Sequence, residues 1–275
     1  MKRVLTAAVA APLALAAVFW LPGEWFFLLV LALFLGGAME FVRLCRHHAP
    51  EKSLWSLLIL IPAAAAAMGP WPLRLPEGSP AQAGLLVAAA VVSVGLGSLV
   101  VATRTPTDQA VAALGVLAYS VPYFSLPVAS LYHLQQIDPW LLFALLAVVW
   151  LGDTAALLFG TLWGRHKMAP VVSPNKSWEG AVAGLAVAVL AAAAWSWWRL
   201  DRLSWPLIAL GAVTALAAQI GDLVESLIKR GAGVKDSGNL FPGHGGVLDR
   251  MDALMFAAPV WLLGLWLVGK EAWLP

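Results

Sequence analysis

The chain reads as an all-α, polytopic integral membrane protein with about nine transmembrane helices. Of its 275 residues, 61% are apolar and only 12% are charged, against about 45–50% and about 25% in an ordinary soluble domain. Mean hydropathy is +0.83, too high for one buried core under a water-facing surface. Apolar runs close to the roughly 20 residues that cross a hydrocarbon core recur along the whole length. Of the 15 tryptophans, Trp20, Trp25, Trp55, Trp71, Trp140, Trp163, Trp178 and Trp205 fall near the ends of those runs, where interfacial aromatic belts lie. Disorder, collagen-like repeats and a nucleic-acid partner are excluded, and the lipid bilayer is the expected solvent. The lone Cys45 allows no intrachain disulfide and no Cys-ligated zinc.

Run length places spans at 4–21, 24–45, 53–69, 82–102, 109–130, 139–161, 180–200, 205–229 and 247–269. The third is short, and Pro122 and Pro127 interrupt the fifth. Met1-Lys2-Arg3 ahead of an Ala/Leu run also resembles a secretory signal peptide. Only Pro22, Gly23 and Glu24 separate that run from the next span, so an uncleaved first helix is expected. With no repeat and no linker, residues 1–275 are expected to form a single transmembrane domain. Its chemistry is concentrated in 150–252.

Orientation follows Lys and Arg. A cytoplasmic N-terminus puts 13 of the 17 on the cytoplasmic side, leaving Arg74, Arg199, Arg202 and Lys270 outside. The two polar loops after residue 150 then face the cytoplasm, and the C-terminus is external. The cytoplasmic (inner) membrane of a cell is the expected location.

Before residue 150, only Glu40 stands out. It reads as a helix-end partner of Arg43, with a carboxylate facing a polar cavity as the alternative. After residue 150, Asp153 sits inside a span, and the following loop carries Ser173, Lys176 and Ser177. All three suit phosphate oxygens, while Ser177 could instead cap the seventh span. A denser cluster follows. Asp222, Glu225 and Ser226 share one helix face at i, i+3 and i+4, and Lys229 and Arg230 close that span. Lys235, Asp236 and His244 lie in a Gly-rich loop, and Asp249, Arg250 and Asp252 open the last span.

An ionised carboxylate at the centre of a span costs on the order of 3 kcal/mol. Several together are tolerable in a hydrated cavity with a shared cation, and oxygen-only ligands favour a hard ion such as Mg²⁺. Structural ion pairs such as Asp222–Lys229, Glu225–Lys229 and Asp249–Arg250 are the alternative for any single residue. The role of His244 stays open between a base, a phosphate donor and a loop staple. Neither a dinucleotide fingerprint nor a P-loop occurs.

Residues 226–252 resemble the signature of the phosphatidate cytidylyltransferase (CDP-diacylglycerol synthase) family. The pattern is Ser226-x-x-Lys229-Arg230, then Lys235-Asp236-x-Gly238, then Phe241-Pro242-x-His244-Gly245-Gly246-x-x-Asp249-Arg250-x-Asp252. Asp153-Thr154, Ser173-Pro174, Lys176 and Glu179-Gly180 are similar to an upstream segment of the same family. The resemblance implies that CTP and phosphatidic acid give CDP-diacylglycerol and pyrophosphate. It is consistent with Mg²⁺ on Asp222 and Asp249, leaving room for a second cation. Lys229, Arg230, Lys235 and Arg250 would then clamp phosphates, with Ser173 and Lys176 closing from the other loop. Glu225, Asp236 and Asp252 would orient those groups. A homodimer is compatible with the resemblance, although no interface is legible.

A transporter would also carry intramembrane carboxylates, but no paired broken helices appear in the two halves. The Asp-Gly-x-x-Ala-Arg segment of CDP-alcohol phosphotransferases is absent. A scaffold would have no use for Glu40, Asp153, Asp222, Glu225, Asp249 and Asp252 in or beside apolar spans.

Overall fold

A computed structural model describes residues 2–46, 54–69, 105–238 and 245–274, with 95, 99 and 101. Among them, six helices are long and apolar enough to cross a membrane. They are α2 (Gly23–Cys45), α4 (Ala110–Ile137, led by a 3₁₀ turn at Thr107–Gln109), α5 (Pro139–Trp163), α6 (Trp178–Leu200), α7 (Trp205–Gly231) and α8 (Leu248–Val268). Each follows an expected span to within a few residues at its start. An α1 helix (Lys2–Trp20) matches the first span, and α3 (Leu57–Met68) partly covers the third. The 12 residues of α3 reach only about 18 Å, too little to cross alone. The fourth expected span lies outside the described residues apart from Gly95, Leu99 and Val101, so the described part does not reach nine.

Two features differ from expectation. Pro122 and Pro127 do not break the fifth span: α4 runs through both for 28 residues. A membrane helix tolerates the missing N–H groups because neighbouring helices and Ser or Thr side chains re-satisfy the backbone. The loop after the sixth span is not irregular throughout. It contains an antiparallel hairpin of β1 (Lys167–Ala169) and β2 (Ser173–Ser177). Lys167 pairs with Ser177 and Ala169 with Ser173.

The described chain forms two compact units, Met1–Gln136 with Gly231–Met251, and Ile137–Arg230 with Asp252–Pro275. In the first, α2 and α4 meet through aromatic side chains. The Phe41 and Phe124 rings lie 5.6 Å apart, edge to face, and Phe27 meets Tyr132 at 5.6 Å. Gln135 Nε2 donates to Leu21 O at 2.9 Å, tying the end of α4 to the chain just after α1.

The second unit is assembled on small residues. Gly152, Ala156 and Gly160 recur at every fourth position of α5, and Gly180, Gly184 and Ala188 do so on α6. A Cβ on Gly184 would stand 2.8 Å from Gly152 O, and one on Gly180 would stand 2.6 Å from Ala156 O. With lipid as apolar as Leu, van der Waals fit of this kind drives helix association in a bilayer. Val148, Ala188, Ala192 and Ala215 form the buried centre, and Gln219 Nε2 bonds Ala181 O at 3.0 Å. Caps are local: Asp138 accepts from Trp140 N–H ahead of Pro139 at the start of α5. Ser177 caps α6 through Gly180 N–H, the second of the two roles its position allows. Large apolar side chains such as Leu157, Leu190 and Leu267 are exposed along the helices, and Trp20, Trp163, Trp178 and Trp205 are exposed at or near helix ends. That arrangement suits lipid contact.

Gly184→Val is expected to force α5 and α6 apart and lower stability by about 1–3 kcal/mol. Gly115→Ala, inside α4 with nothing within 4 Å of the added Cβ, is expected to raise stability by about 0.5–1 kcal/mol. Thermal unfolding of the two variants in detergent, against wild type, checks both.

Candidate active site

The second unit gathers acidic side chains from three helices. Asp222 and Glu225 project from α7 and Asp252 from α8, and one oxygen of each lies within 4.8 Å of the others. The backbone permits this because Gly221 precedes Asp222: a Cβ there would stand 2.6 Å from Asp252 O. Glycine therefore lets α7 approach α8 at the acidic level. Asp153 of α5 lies within electrostatic reach of Asp222 and Asp252.

Lysines meet two of these acids. Lys176 Nζ, on β2, is 2.5 Å from Asp222 Oδ2. Lys229 Nζ is 2.5 Å from Glu225 Oε2, one helical turn away, and the Glu225 side chain is fully buried. The hairpin that carries Lys176 is folded back tightly. A Cβ on Gly164 would stand 2.5 Å from Ser177 Oγ, and Trp178 N–H donates to His166 O at 2.9 Å. Arg230 Nε donates to Val172 O at 3.2 Å, joining the end of α7 to the hairpin. His166 Nδ1 is 2.6 Å from Glu179 Oε1. Four carboxylates face two lysines, so the set carries excess negative charge when all four are ionised. Among the described residues the cluster offers carboxylate oxygens alone, a donor set that fits a hard divalent cation.

The first unit holds a different acidic arrangement. Glu40, on α2, is buried; it accepts from Val247 N–H and Leu248 N–H, each at 3.0 Å. Ser237 Oγ lies 2.7 Å from Glu40 Oε2 and 2.9 Å from Asp249 Oδ2, so its one proton serves them in turn. Asp249 Oδ2 also accepts from Ser237 N–H at 2.9 Å and Gly246 N–H at 2.7 Å. The expected Glu40–Arg43 pair is therefore corrected: the Glu40 bonds go to Ser237 and to the first turn of α8, and Arg43 takes no part. The signature glycines follow from this packing. A Cβ on Gly238 or Gly246 would collide with the Glu40 carboxylate, and one on Gly245, at φ +77°, with that of Asp249.

The remaining expected residues are distributed as follows. Ser173 opens β2 and Ser226 follows Glu225 on α7, both half-buried. Lys235, Asp236 and Arg250 are exposed in the first unit. His244 lies outside the described residues. The structure brings together Asp222, Glu225 and Asp252, with Lys176 and Lys229 beside them. It places Asp249 with Glu40 and Ser237. Sequence reasoning missed Ser237 and Gly221 and undervalued Glu40. A lone carboxylate deep in an apolar run was the available signal for Glu40, and a glycine directly before an intramembrane Asp was the signal for Gly221.

A family model described as the cytidylyltransferase family matches residues 1–268. A phosphatidate cytidylyltransferase of Staphylococcus aureus is 46% identical over 122 residues, covering 44% of this chain and 46% of the relative. Proteins of the same name from Staphylococcus epidermidis and Staphylococcus saprophyticus are 47% identical over stretches of the same length and coverage. The chain thus aligns with just under half the length of these curated relatives.

Lys229→Met would leave Glu225 in its fully buried place without that cation, at a cost of about 3–5 kcal/mol. The double variant Lys229→Met/Glu225→Gln is expected to recover most of the loss, because the buried charge is then removed. Thermal unfolding without divalent cations compares the two.

Proposed function

We propose a function from one premise: the chain belongs to the cytidylyltransferase family. The reaction is that named by its relatives, transfer of a cytidylyl group from CTP to phosphatidic acid. A phosphate oxygen of the lipid attacks the α-phosphorus of CTP. The bond from that phosphorus to the bridging oxygen breaks, and pyrophosphate leaves with the electron pair. CDP-diacylglycerol remains in the bilayer.

The observation that carries this reading is the three-carboxylate cluster on membrane-spanning helices, with lysines at its edge. Both reactants are polyanions, and a phosphate monoester is already largely ionised near pH 7. The site therefore has to neutralise and align more than it has to deprotonate. Asp222, Glu225 and Asp252 are the residues that would hold Mg²⁺. When bound there, the ion supplies neutralisation of nucleotide phosphate charge. Lys176, Lys229 and Arg230 lie on the same unit and offer further positive charge to phosphate oxygens. Ser173 and Ser226 add hydroxyl donors.

From the first unit, Lys235 and Arg250 are assigned to phosphate contact and Asp236 to orienting them. His244 stays within the signature with its role open between a base, a phosphate donor and a loop staple. Asp249 was expected as the second metal ligand. Its Oδ2 accepts from Ser237 N–H, Ser237 Oγ and Gly246 N–H, so we assign it to holding the Gly245–Gly246 turn. A second cation is not required by this donor set. The Lys and Arg bias supports an inner-membrane orientation with the N-terminus and both loops cytoplasmic, the side from which CTP would come.

The test uses the full chain, purified and given radiolabelled CTP with phosphatidic acid in mixed micelles. Label is expected in lipid only when Mg²⁺ is present. Asp222→Asn and Asp252→Asn are expected to lower the rate by about 100-fold or more, in the range seen when a charge-stabilising group is removed. Both are also expected to raise the Mg²⁺ concentration needed for half-saturation. Asp249→Asn should slow turnover without moving that concentration. Turnover in the presence of a chelator, or an Asp252→Asn enzyme at the wild-type rate, would refute the assignment.

A further inference from the structure

Among the buried acids of the first unit, Glu40 has no part in the reaction as assigned above, yet it is tied to residues distant in the chain. It is 6% exposed. Its two oxygens receive Ser237 Oγ, Val247 N–H and Leu248 N–H at 2.7, 3.0 and 3.0 Å, from 197, 207 and 208 positions away. The two N–H groups stand at the start of α8, where a helix has no internal acceptors for its first donors. A carboxylate is the favoured partner there, since the helix dipole adds to the hydrogen bonds. Ser237 closes the other side, because the same hydroxyl reaches Asp249 Oδ2. Gly238 and Gly246 leave the space that the Glu40 carboxylate fills.

Two stretches of the signature, at Ser237 and at Val247–Leu248, therefore rest on one side chain of α2. Asp236 and Lys235 precede Ser237 directly, and Asp249 and Arg250 follow Leu248 directly. We infer that Glu40 is a positioning residue of the signature segment, holding Lys235–Asp236 and Asp249–Arg250 in their substrate-binding arrangement. The inference rests on the proposed reaction in taking CTP as the ligand of that segment.

Glutamine is the informative replacement. A carboxylate accepts at both oxygens, whereas an amide turns one of them into a donor. Whichever way the amide faces, an N–H or the Ser237 hydroxyl loses its acceptor. Leaving one such buried group unmatched corresponds to about tenfold or more in an equilibrium. Glu40→Asp shortens the arm and leaves the same donors out of reach.

The experiment measures two things on the purified 275-residue chain: the kinetics of CTP turnover, and tryptic cleavage after Lys235 relative to cleavage after Lys167 of the hairpin. Glu40→Gln and Glu40→Asp are expected to raise KM for CTP about tenfold and to speed cleavage after Lys235 by a similar factor. Cleavage after Lys167 should be unchanged. A merely structural defect would speed both cleavages together and would leave KM for CTP unmoved. Ser237→Ala removes only the shared hydroxyl and is expected to move the same two readouts in the same direction. If Glu40→Gln is recovered only as aggregate, Ser237→Ala decides. Wild-type KM together with wild-type cleavage after Lys235 would overturn the inference. A wild-type chain that does not turn over CTP would instead sink the proposed reaction, and the cleavage ratio would still test Glu40.

Discussion

A carboxylate inside a membrane-spanning helix has to be compensated where it stands, because lipid offers neither water nor counter-ions. This chain solves that problem in two chemically opposite ways. In the second unit two of the four acids are met by lysines: Asp222 by Lys176, and Glu225 by Lys229. In the first unit they are met by hydrogen-bond donors, with four backbone N–H groups and one serine hydroxyl around Glu40 and Asp249. Amide donors gather on the Oδ2 of Asp249 and on both oxygens of Glu40, whereas a lysine sits on one oxygen each of Asp222 and Glu225.

The glycines follow from the same requirement. Side chains can converge only where backbones come close, and the close approaches here are made at residues without a Cβ. Gly221 admits α7 to the backbone of α8 beside Asp252, and Gly238 and Gly246 make room for Glu40. Between α5 and α6 the same is done by Gly152 and Gly160 against Gly180 and Gly184, with Ala156 and Ala188 completing the two rows. That seam fixes the start of α6, and with it the hairpin that delivers Lys176. Packing with small residues thus sets the position of charged ones, in a bilayer where apolar burial between helices contributes little.

Much of the fold was legible because apolar run length is a direct physical count. Spans two and five through nine became helices with nearly the expected starts. What escaped depended on context. Pro122 and Pro127 read as breakers because sequence shows their missing N–H groups but not the surroundings that make a bilayer helix tolerate them. The hairpin escaped because its two short strands carry too little alternation to detect. Spacing identified the acids of α7 and α8, yet it could not say which of Asp249 and Asp252 meets donors and which meets other acids. Glu40 was misread for a related reason. Its nearest cation in sequence, Arg43, is a plausible helical partner, whereas its actual partners stand 197 to 208 positions further along the chain.

Asp249 and Asp252 show how far that distinction reaches. They are three residues apart on one helix, with the same chemistry and adjacent in direction. Asp249 lies in the first turn of α8, where N–H groups lack internal acceptors, and its Oδ2 is taken up by the amides of Gly246 and Ser237. Asp252 lies one turn on. Its Oδ1 accepts from Ala253 N–H at 2.8 Å, and the acids around it are Asp222, Glu225 and Asp153. One turn of helix therefore converts a carboxylate surrounded by hydrogen-bond donors into a candidate ligand for a cation. The Asp-Arg-x-Asp spacing of the signature is the shortest way to place both kinds on one face. It needs only that the helix begin at Leu248, which is the position that Glu40 holds by its N–H.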